Sequence, residues 1–234
     1  MRAILLSLLL LATPIGATEV DVELVLLADV TGSIDEDEAR FQRQGYAEAL
    51  TDPRVLTAIA NTLTGSVAIT YVEWAAADAQ DVVVPWTIIS GPDSAAAFAG
   101  ALLTAPRRAY GRNAIGAALL KGKELIETND INGLRRVIDF SGDSVNNYNG
   151  PAIAPARAEV LAAGITINGL AILCRGCSGS TYGSSLGDLF ARDIIGGPGA
   201  FVVTAETRDT FTEAVRRKLI LEISGEFPER IARR

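Results

Sequence analysis

The segment at residues 20–28 is rich in Val and Leu and is continuously apolar after Glu23. It ends abruptly at Asp29, and two small polar residues, Thr31 and Ser33, follow at alternate positions. Apolar side chains at successive positions are typical of a strand that is buried on both faces. Such a strand belongs in the centre of a sheet, and covering both of its faces requires further secondary structure on each side. The run therefore favours a layered α/β fold with this strand in the middle.

Residues 24–33, LVLLADVTGS, have two interpretations. The carboxylate and the two hydroxyls that follow the strand are hard oxygen ligands suited to a divalent cation. The other interpretation is a strand, a turn and a helix cap, because Ser33 and Glu36 have the spacing of a capping box. An acidic first turn at residues 35–38 supports a helix over residues 35–50, since the N-terminal end of a helix dipole favours negative charge.

Strand-like and helix-like patterns alternate through the rest of the chain, which predicts a doubly wound α/β fold with a mostly parallel sheet and helices on both faces. The first strand is followed by predicted strands at residues 67–75, 82–89, 135–141, 165–173 and 201–204. The predicted helices cover residues 35–50, 54–63, 93–103, 114–126, 151–163 and 186–193, with a last helix from Asp209.

Residues 67–75 and 82–89 are joined by a short polar connection, which predicts an antiparallel hairpin. Pro85 lacks the N–H that a central strand must donate, so the second of these strands is placed at an edge of the sheet. Glu73 and Trp74 are interpreted as packing and edge residues. No long linker divides the chain, and residues 18–234 are predicted to form a single domain.

Residues 1–17 are interpreted as a cleaved signal peptide, because Arg2 precedes an apolar run that ends in small residues. The apolar core at residues 3–12 is too short to span about 30 Å of hydrocarbon. No later segment is long and apolar enough to do so, and the mature chain is predicted to be exported, either periplasmic or secreted. An acidic balance, with 28 Asp and Glu against 21 Lys and Arg, argues against nucleic acid as a partner.

The two cysteines, Cys174 and Cys177, form one CxxC pair. In an exported protein this spacing favours a local disulfide that pins a loop. A thiol oxidoreductase would need the first cysteine at a helix N-terminus, whereas a Ser- and Gly-rich loop follows here. A zinc site would need two more ligands, and the chain has neither a histidine nor a third cysteine to supply them in the usual way.

Oxygen-bearing side chains occur in three loops expected at the carboxyl edge of the sheet, where doubly wound folds bind ligands. The first loop carries Asp29, Thr31 and Ser33, the second carries Asn113, and the third carries Asp143. This set suits Mg²⁺, Mn²⁺ or Ca²⁺ and does not suit zinc or copper. Each residue also has a structural alternative: Ser33 and Asn113 as helix caps, and Asp143 in an Asx-turn.

Asp29-Val30-Thr31-Gly32-Ser33 resembles the DxSxS motif of von Willebrand factor type A domains, in which these residues build a metal-ion-dependent adhesion site (MIDAS). The segment GRNAIG at residues 111–116 resembles the second loop of that site, and residues 137–143 resemble the strand whose following aspartate completes it. The order of elements is also similar to that of the family. Residues 190–203 and the terminal helix further resemble a group of secreted bacterial type A domain proteins of uncharacterised function, here called DUF1194-like.

The resemblance implies a protein-binding module without enzymatic activity. A divalent cation, Mg²⁺ before Mn²⁺ or Ca²⁺, would be held by Asp29, Thr31, Ser33, Asn113 and Asp143 with one position open for a carboxylate of a partner protein. Asn146, Asn147 and Tyr148 are candidates for the rim of the site, although loop asparagines are typical turn formers.

The chain departs from the family pattern at three points, with Thr31 in place of Ser, Asn113 in place of Thr, and Ser-Gly-Asp143 where Thr-Asp-Gly is common. These departures keep open a degenerate, metal-free scaffold for protein contacts. A metal-dependent hydrolase is a third hypothesis, disfavoured because the chain has no histidine to act as a general base and no GxSxG nucleophile motif.

Overall fold

One six-stranded sheet connects the described strands of a computed structural model, which describes residues 17–173 and 185–225. The order across the sheet is β3-β2-β1-β4-β5-β6. Neighbouring strands are parallel except β2 and β3, which pair antiparallel. The strand bounds are Thr18–Asp29 for β1, Val67–Trp74 for β2, Gln80–Ile89 for β3, Ile131–Gly142 for β4, Thr166–Ile172 for β5 and Val202–Ala205 for β6.

Helices cover both faces of this sheet. Their bounds are Glu36–Leu50 for α1, Pro53–Ala60 for α2, Pro92–Thr104 for α3, Ile115–Glu127 for α4, Ile153–Ala162 for α5, Leu186–Asp193 for α6 and Arg208–Ser224 for α7. Within the described residues, none of these helices has the length and apolar character needed to cross a bilayer.

The alternate side chains of β1 enter two separate hydrophobic clusters. Leu24 and Leu26 pack with residues of α1, α2, α3 and α7. Val25 and Leu27 pack with residues of α4, α5 and α6 on the opposite face. The buried central strand and the doubly wound, mostly parallel sheet are confirmed: β1 is buried from Val20 to Asp29. The exposed Pro85 lies in β3, the antiparallel edge strand, as predicted.

The winding direction of the chain reverses between β1 and β4. After β1 the chain passes to β2 and β3 on one side, whereas β4 pairs with the other side of β1. Connections that leave in opposite directions open a crevice at the carboxyl ends of the two strands. Leu27 pairs with Phe140 in the parallel register, so Asp29 and Gly142 reach this crevice together.

Two sequence-based interpretations of local structure are wrong. The N-cap of α1 is Asp35, and its capping box pairs Asp35 with Glu38 in place of Ser33 with Glu36. Glu73 and Trp74 are fully buried, which agrees with a packing role, but they lie in β2, which is not an edge strand. Trp74 stacks on Phe140, and its indole Nε1 donates to the Ser141 carbonyl at 3.1 Å.

The predicted disulfide of Cys174 and Cys177 lies outside the described residues, as does the predicted signal peptide apart from its last residue, Ala17.

Candidate metal centre

The last residue of β1, Asp29, is a fully buried carboxylate at the reversal point of the sheet. Its Oδ1 accepts a hydrogen bond from the Thr31 main-chain N–H at 2.9 Å. The side chain of Gln42 in α1 donates to the Asp29 carbonyl at 3.2 Å and fixes the end of the strand. Asp29 Oδ2 is buried and has no hydrogen-bond partner among the described residues. It is one of nine buried side-chain atoms without a hydrogen bond among the described residues, and it is set apart by its place beside Asp143, whose charge acts on Asp29. A buried carboxylate oxygen in such a place is costly to ionise without a counter-charge.

The hydroxyls of Thr31 and Ser33 connect the first loop to Asp143. Ser33 Oγ lies 3.4 Å from Thr31 Oγ1 and donates to Asp143 Oδ2 at 3.1 Å. The hydroxyl of Ser33 is therefore engaged across the crevice, and the predicted capping role passes to Asp35. Thr31, Ser33 and Asp143 form one connected polar group beside Asp29.

Gly142 allows β4 to end close to Asp29. A Cβ atom added to Gly142 would lie 3.2 Å from Asp29 Oδ2 and 3.3 Å from the Trp74 ring. Contacts this short would force one of these buried side chains to move. The Ser-Gly-Asp order thus leaves room for the orphaned oxygen and places the following carboxylate, Asp143, within reach of Ser33.

Asn113 joins the site indirectly. Its side-chain Nδ2 donates to Ser144 Oγ at 3.0 Å, and its main-chain carbonyl accepts from the Tyr148 N–H at 2.8 Å. The N-cap of α4 is Ala114, with no side-chain capping bond, so the alternative role of Asn113 as a helix cap is wrong. The second and third loops therefore meet through Asn113 and Ser144.

Burial perturbs both carboxylates of the site. It raises the pKa of Asp29 to about 7, and the charge of Asp143 adds to the rise. Hydrogen bonding from Thr31 and from the main chain of Asp143 opposes the rise without cancelling it. Burial also raises the pKa of Asp143 to about 6. The hydrogen bond from Ser33 lowers this pKa, and the negative charge of Glu38 raises it further. Two neighbouring acids that resist ionisation favour a proton or a cation between them.

Several residues that build the site carry no local sequence signal. Arg107 in the second loop reaches back to the first, where it donates to the Val30 carbonyl at 2.6 Å and the Ile34 carbonyl at 3.1 Å. The Gly32 N–H also donates to the Gly111 carbonyl at 2.9 Å. The partners of these bonds are distant in sequence, so only the folded chain reveals them.

The donor chemistry fits a hard cation. Within residues 17–173 and 185–225, no three His, Cys, Asp or Glu side chains come together as a metal-binding group. The site has two carboxylates, and its other side-chain oxygens belong to hydroxyls and an amide. Asp29 Oδ2, which makes no hydrogen bond of ordinary geometry among the described residues, lies beside Gly142. Oxygen-only sites of this kind suit Mg²⁺, Mn²⁺ or Ca²⁺.

Cation-dependent stabilisation is expected to increase with pH. The ordinary pKa of an aspartate is 3.8, so the raised values of Asp29 and Asp143 mean that the folded chain binds extra protons between about pH 4 and pH 7. Without cation, this contribution to stability is lost as the pH rises through that range. A bound cation needs both carboxylates ionised, so its affinity should rise by up to about tenfold per pH unit for each proton displaced.

Thermal unfolding with Mg²⁺ or with chelator, between about pH 5.5 and pH 8, measures this effect. The difference in melting temperature between the two conditions should grow toward the higher pH. An equal Mg²⁺ effect across the whole range would contradict the coupling to these carboxylates.

Solved structures with a similar fold include several type A domains. The chain matches proximal thread matrix protein 1 from the mussel byssus, in a structure described with a zinc-occupied MIDAS motif, with 13% identity and a TM-score of 0.59 over 89% of this chain and 49% of that one. A von Willebrand factor type A protein from Catenulispora acidiphila matches with 18% identity and a TM-score of 0.55 over 88% and 43%.

The von Willebrand factor domain of the pilus tip protein Mfa5 from Porphyromonas gingivalis matches with 10% identity and a TM-score of 0.58 over 92% and 99%. The chain thus spans about half or less of the mussel and Catenulispora chains and nearly all of the Mfa5 domain. At these identities the likeness is one of fold. No curated protein sequence matches the chain.

The sheet order, the two helical layers and these similar structures define the fold as that of a von Willebrand factor type A domain. The chain belongs to the family described as "Protein of unknown function (DUF1194)", whose model matches residues 19–227.

Proposed function

We propose that this chain is a protein-binding module that holds a divalent cation at the carboxyl edge of its sheet. Asp29, Thr31, Ser33 and Asp143 bind the cation, and Asn113 contributes from the second loop. The cation keeps an open position for a carboxylate of a partner protein. Mg²⁺ is the preferred ion, with Mn²⁺ and Ca²⁺ as alternatives, because the ligands are hard oxygens.

The buried, unpartnered Asp29 Oδ2 is the observation that carries this proposal. An ionised carboxylate oxygen without any partner is costly to bury. A cation between Asp29 and Asp143 would satisfy that oxygen, and it would offset both the burial that raises the pKa of Asp29 and the repulsion from Asp143 that adds to the rise. The zinc-occupied MIDAS motif of the mussel protein supports the idea that this fold holds a divalent cation.

We propose a binding role in place of catalysis and a location outside the cytoplasm. The similar structures include a pilus adhesin, a pilus tip protein and a byssal matrix protein, whose descriptions indicate structural and adhesive roles. The chain has no histidine, the usual general base near neutral pH. Residues 1–17 would serve as the export signal and residues 18–234 as one domain.

Replacing Asp29 by asparagine should abolish cation-dependent stabilisation. For the wild type, Mg²⁺ at about 100 times its Kd adds about 2.7 kcal/mol to the free energy of unfolding. That gain corresponds to a rise of roughly 5–10 °C in melting temperature for a chain of this size. Asparagine keeps the shape of the side chain and the acceptor for the Thr31 N–H, so the metal-free variant should remain folded. Differential scanning fluorimetry with Mg²⁺, Mn²⁺ and chelator measures the shift.

The matched control is Asp78→Asn, which removes an exposed carboxylate from the connection between β2 and β3 at the same edge of the sheet. This control should keep the full cation shift. Equal cation shifts in wild type and Asp29→Asn would show that the cation does not bind at Asp29.

A metal-free scaffold for protein contacts is the second candidate. It is favoured by the bond between Asn113 Nδ2 and Ser144 Oγ, which engages the amide of the second loop within the protein. If none of Mg²⁺, Mn²⁺, Ca²⁺ and Zn²⁺ changes the wild-type melting temperature, this candidate replaces the first.

A further inference from the structure

An exposed arginine is stacked on an exposed tyrosine at the border of the candidate metal centre. The guanidinium carbon of Arg112 lies 3.9 Å from the centroid of the Tyr148 ring, and 52% of the Tyr148 surface is exposed. Arg112 directly precedes Asn113, and Tyr148 belongs to the loop that begins at Asp143. The pair therefore bridges two of the three loops of the site.

Hydrogen bonds hold this pair in place. The Tyr148 N–H donates to the Asn113 carbonyl at 2.8 Å, so the backbone below the tyrosine is tied to the residue next to Arg112. The side chain of Asn147 accepts from the Gly116 N–H at 3.2 Å, which attaches the same loop to the first turn of α4. A stacked pair on a fixed backbone loses little conformational freedom when it binds a ligand.

The guanidinium of Arg112 is available for a ligand. No hydrogen bond or ion pair joins it to another described residue, whereas Arg107 in the same loop is engaged by the Val30 and Ile34 carbonyls. A guanidinium that stacks through its face keeps its N–H edges free, and these edges match the geometry of a carboxylate in a bidentate pair.

Charge around the site is unevenly distributed. Glu36 and Asp37 are exposed in the first turn of α1, which follows the first loop, and the whole chain has a formal net charge of −7. The net charge disfavours an acidic partner, so such a partner needs a local positive group where it binds. The Arg112 side of the site supplies the opposite charge, and local complementarity of this kind selects and orients a partner.

We propose that Arg112, stacked on Tyr148, binds a second carboxylate of the partner, so that the module selects acidic peptide segments over a single isolated carboxylate. This inference rests on the proposed function, because the first carboxylate binds the cation. Tyr148 supports the guanidinium and offers apolar contact to the peptide between the two acidic groups.

Two labelled peptides test the inference by fluorescence anisotropy in Mg²⁺. One is hexaglutamate, and the other has a single glutamate among glycines and serines. Wild type should bind hexaglutamate more tightly. Arg112→Gln should weaken hexaglutamate binding by roughly tenfold, the value of one charge-assisted interaction, and should leave the single-glutamate affinity unchanged. The hexaglutamate affinity of Arg112→Lys should fall between those of wild type and Arg112→Gln, because lysine keeps the positive charge but loses the planar guanidinium that binds a carboxylate through two N–H groups.

The matched control is Arg217→Gln, which removes an exposed arginine of α7 and should leave both affinities unchanged. Every variant should keep the Mg²⁺-dependent rise in melting temperature. If that rise is intact and Arg112→Gln binds hexaglutamate as wild type does, or if wild type shows no preference for hexaglutamate, the inference is overturned. A missing Mg²⁺ rise in wild type would instead contradict the proposed cation site.

Discussion

Replacing Lys218 by methionine is expected to lower the free energy of unfolding by roughly 3–5 kcal/mol at about pH 8. Lys218 is fully buried in α7, and its Nζ lies 2.7 Å from Asp139 Oδ1 of β4. It also donates to Glu222 Oε1 one helical turn further on. Methionine has a similar volume but leaves two buried carboxylates without the cation they share. Urea unfolding followed by circular dichroism measures the loss.

The loss should shrink as the pH falls. Burial raises the pKa of Glu222 to about 7, with Lys218 opposing the rise and Asp139 adding to it. Burial also raises the pKa of Asp139, and Lys218 again opposes the rise. Without Lys218 both carboxylates hold their protons more strongly when folded, so stability is lost as the pH rises through the folded pKa values. At about pH 5 the protonated acids are neutral, and the deficit should be smallest there.

A suitable control is Lys121→Met, which removes a helical lysine from the partly exposed pair with Glu124 in α4. Pairs of this kind contribute little, so this variant should unfold close to wild type. If Lys218→Met and Lys121→Met unfold at the same urea concentration at about pH 8, the buried cluster has no net role in stability.

Local patterns were sufficient to predict the architecture. Continuous apolar runs identified the buried parallel strands, and Pro85 identified the edge strand β3, because a missing N–H cannot pair inside a sheet. Both signals act over a few residues. The oxygen-bearing first loop was visible for the same reason, since Asp29, Thr31 and Ser33 are close in sequence.

The buried charges were not predictable from these patterns. Lys218 and Glu222 lie on the same buried face of α7 as Phe211, Val215 and Leu219. Charged residues in a helix ordinarily indicate its solvent face, and nothing near them in sequence identifies Asp139 as their partner. Only the packing of α7 on the face of the sheet brings the three charges together.

Two overlapping patterns competed at the start of α1. Ser33 with Glu36 and Asp35 with Glu38 both have the spacing of a capping box. The tertiary bond from Ser33 to Asp143 engages the first serine, and Asp35 forms the cap. The same contact keeps the Ser33 hydroxyl beside Asp143, at the proposed cation site. Because Asp35 caps the helix, the Ser33 hydroxyl is not needed for capping.

A buried ion pair supports the second loop of the candidate site. Arg43 in α1 binds Glu73 in β2 through two hydrogen bonds of 2.7 and 2.8 Å, and both side chains are almost completely buried. The guanidinium of Arg43 also donates to the carbonyls of Ala105 and Pro106. These carbonyls begin the segment that leads to Asn113. Arg43 thus connects the core of the fold to a loop of the candidate site.

Replacing Arg43 by methionine is expected to cost roughly 3–5 kcal/mol of unfolding free energy, because Glu73 would remain buried without a counter-ion. Replacing both partners, in Arg43→Met with Glu73→Leu, should restore most of the stability, since no unpaired charge remains. The double variant still lacks the donor to Ala105 and Pro106. Its Mg²⁺-dependent rise in melting temperature should therefore stay smaller than that of wild type.

Urea unfolding of the wild type, both single variants and the double variant forms a cycle that isolates the coupling between Arg43 and Glu73. If the loss of unfolding free energy in the double variant equals the sum of the two single losses, the pair is not coupled. Recovery of stability together with a full Mg²⁺ effect would show that Arg43 supports the core alone. Recovery of stability with a reduced Mg²⁺ effect would separate the two roles of Arg43. Its ion pair with Glu73 would then stabilise the core, and its bonds to the Ala105 and Pro106 carbonyls would support the cation site.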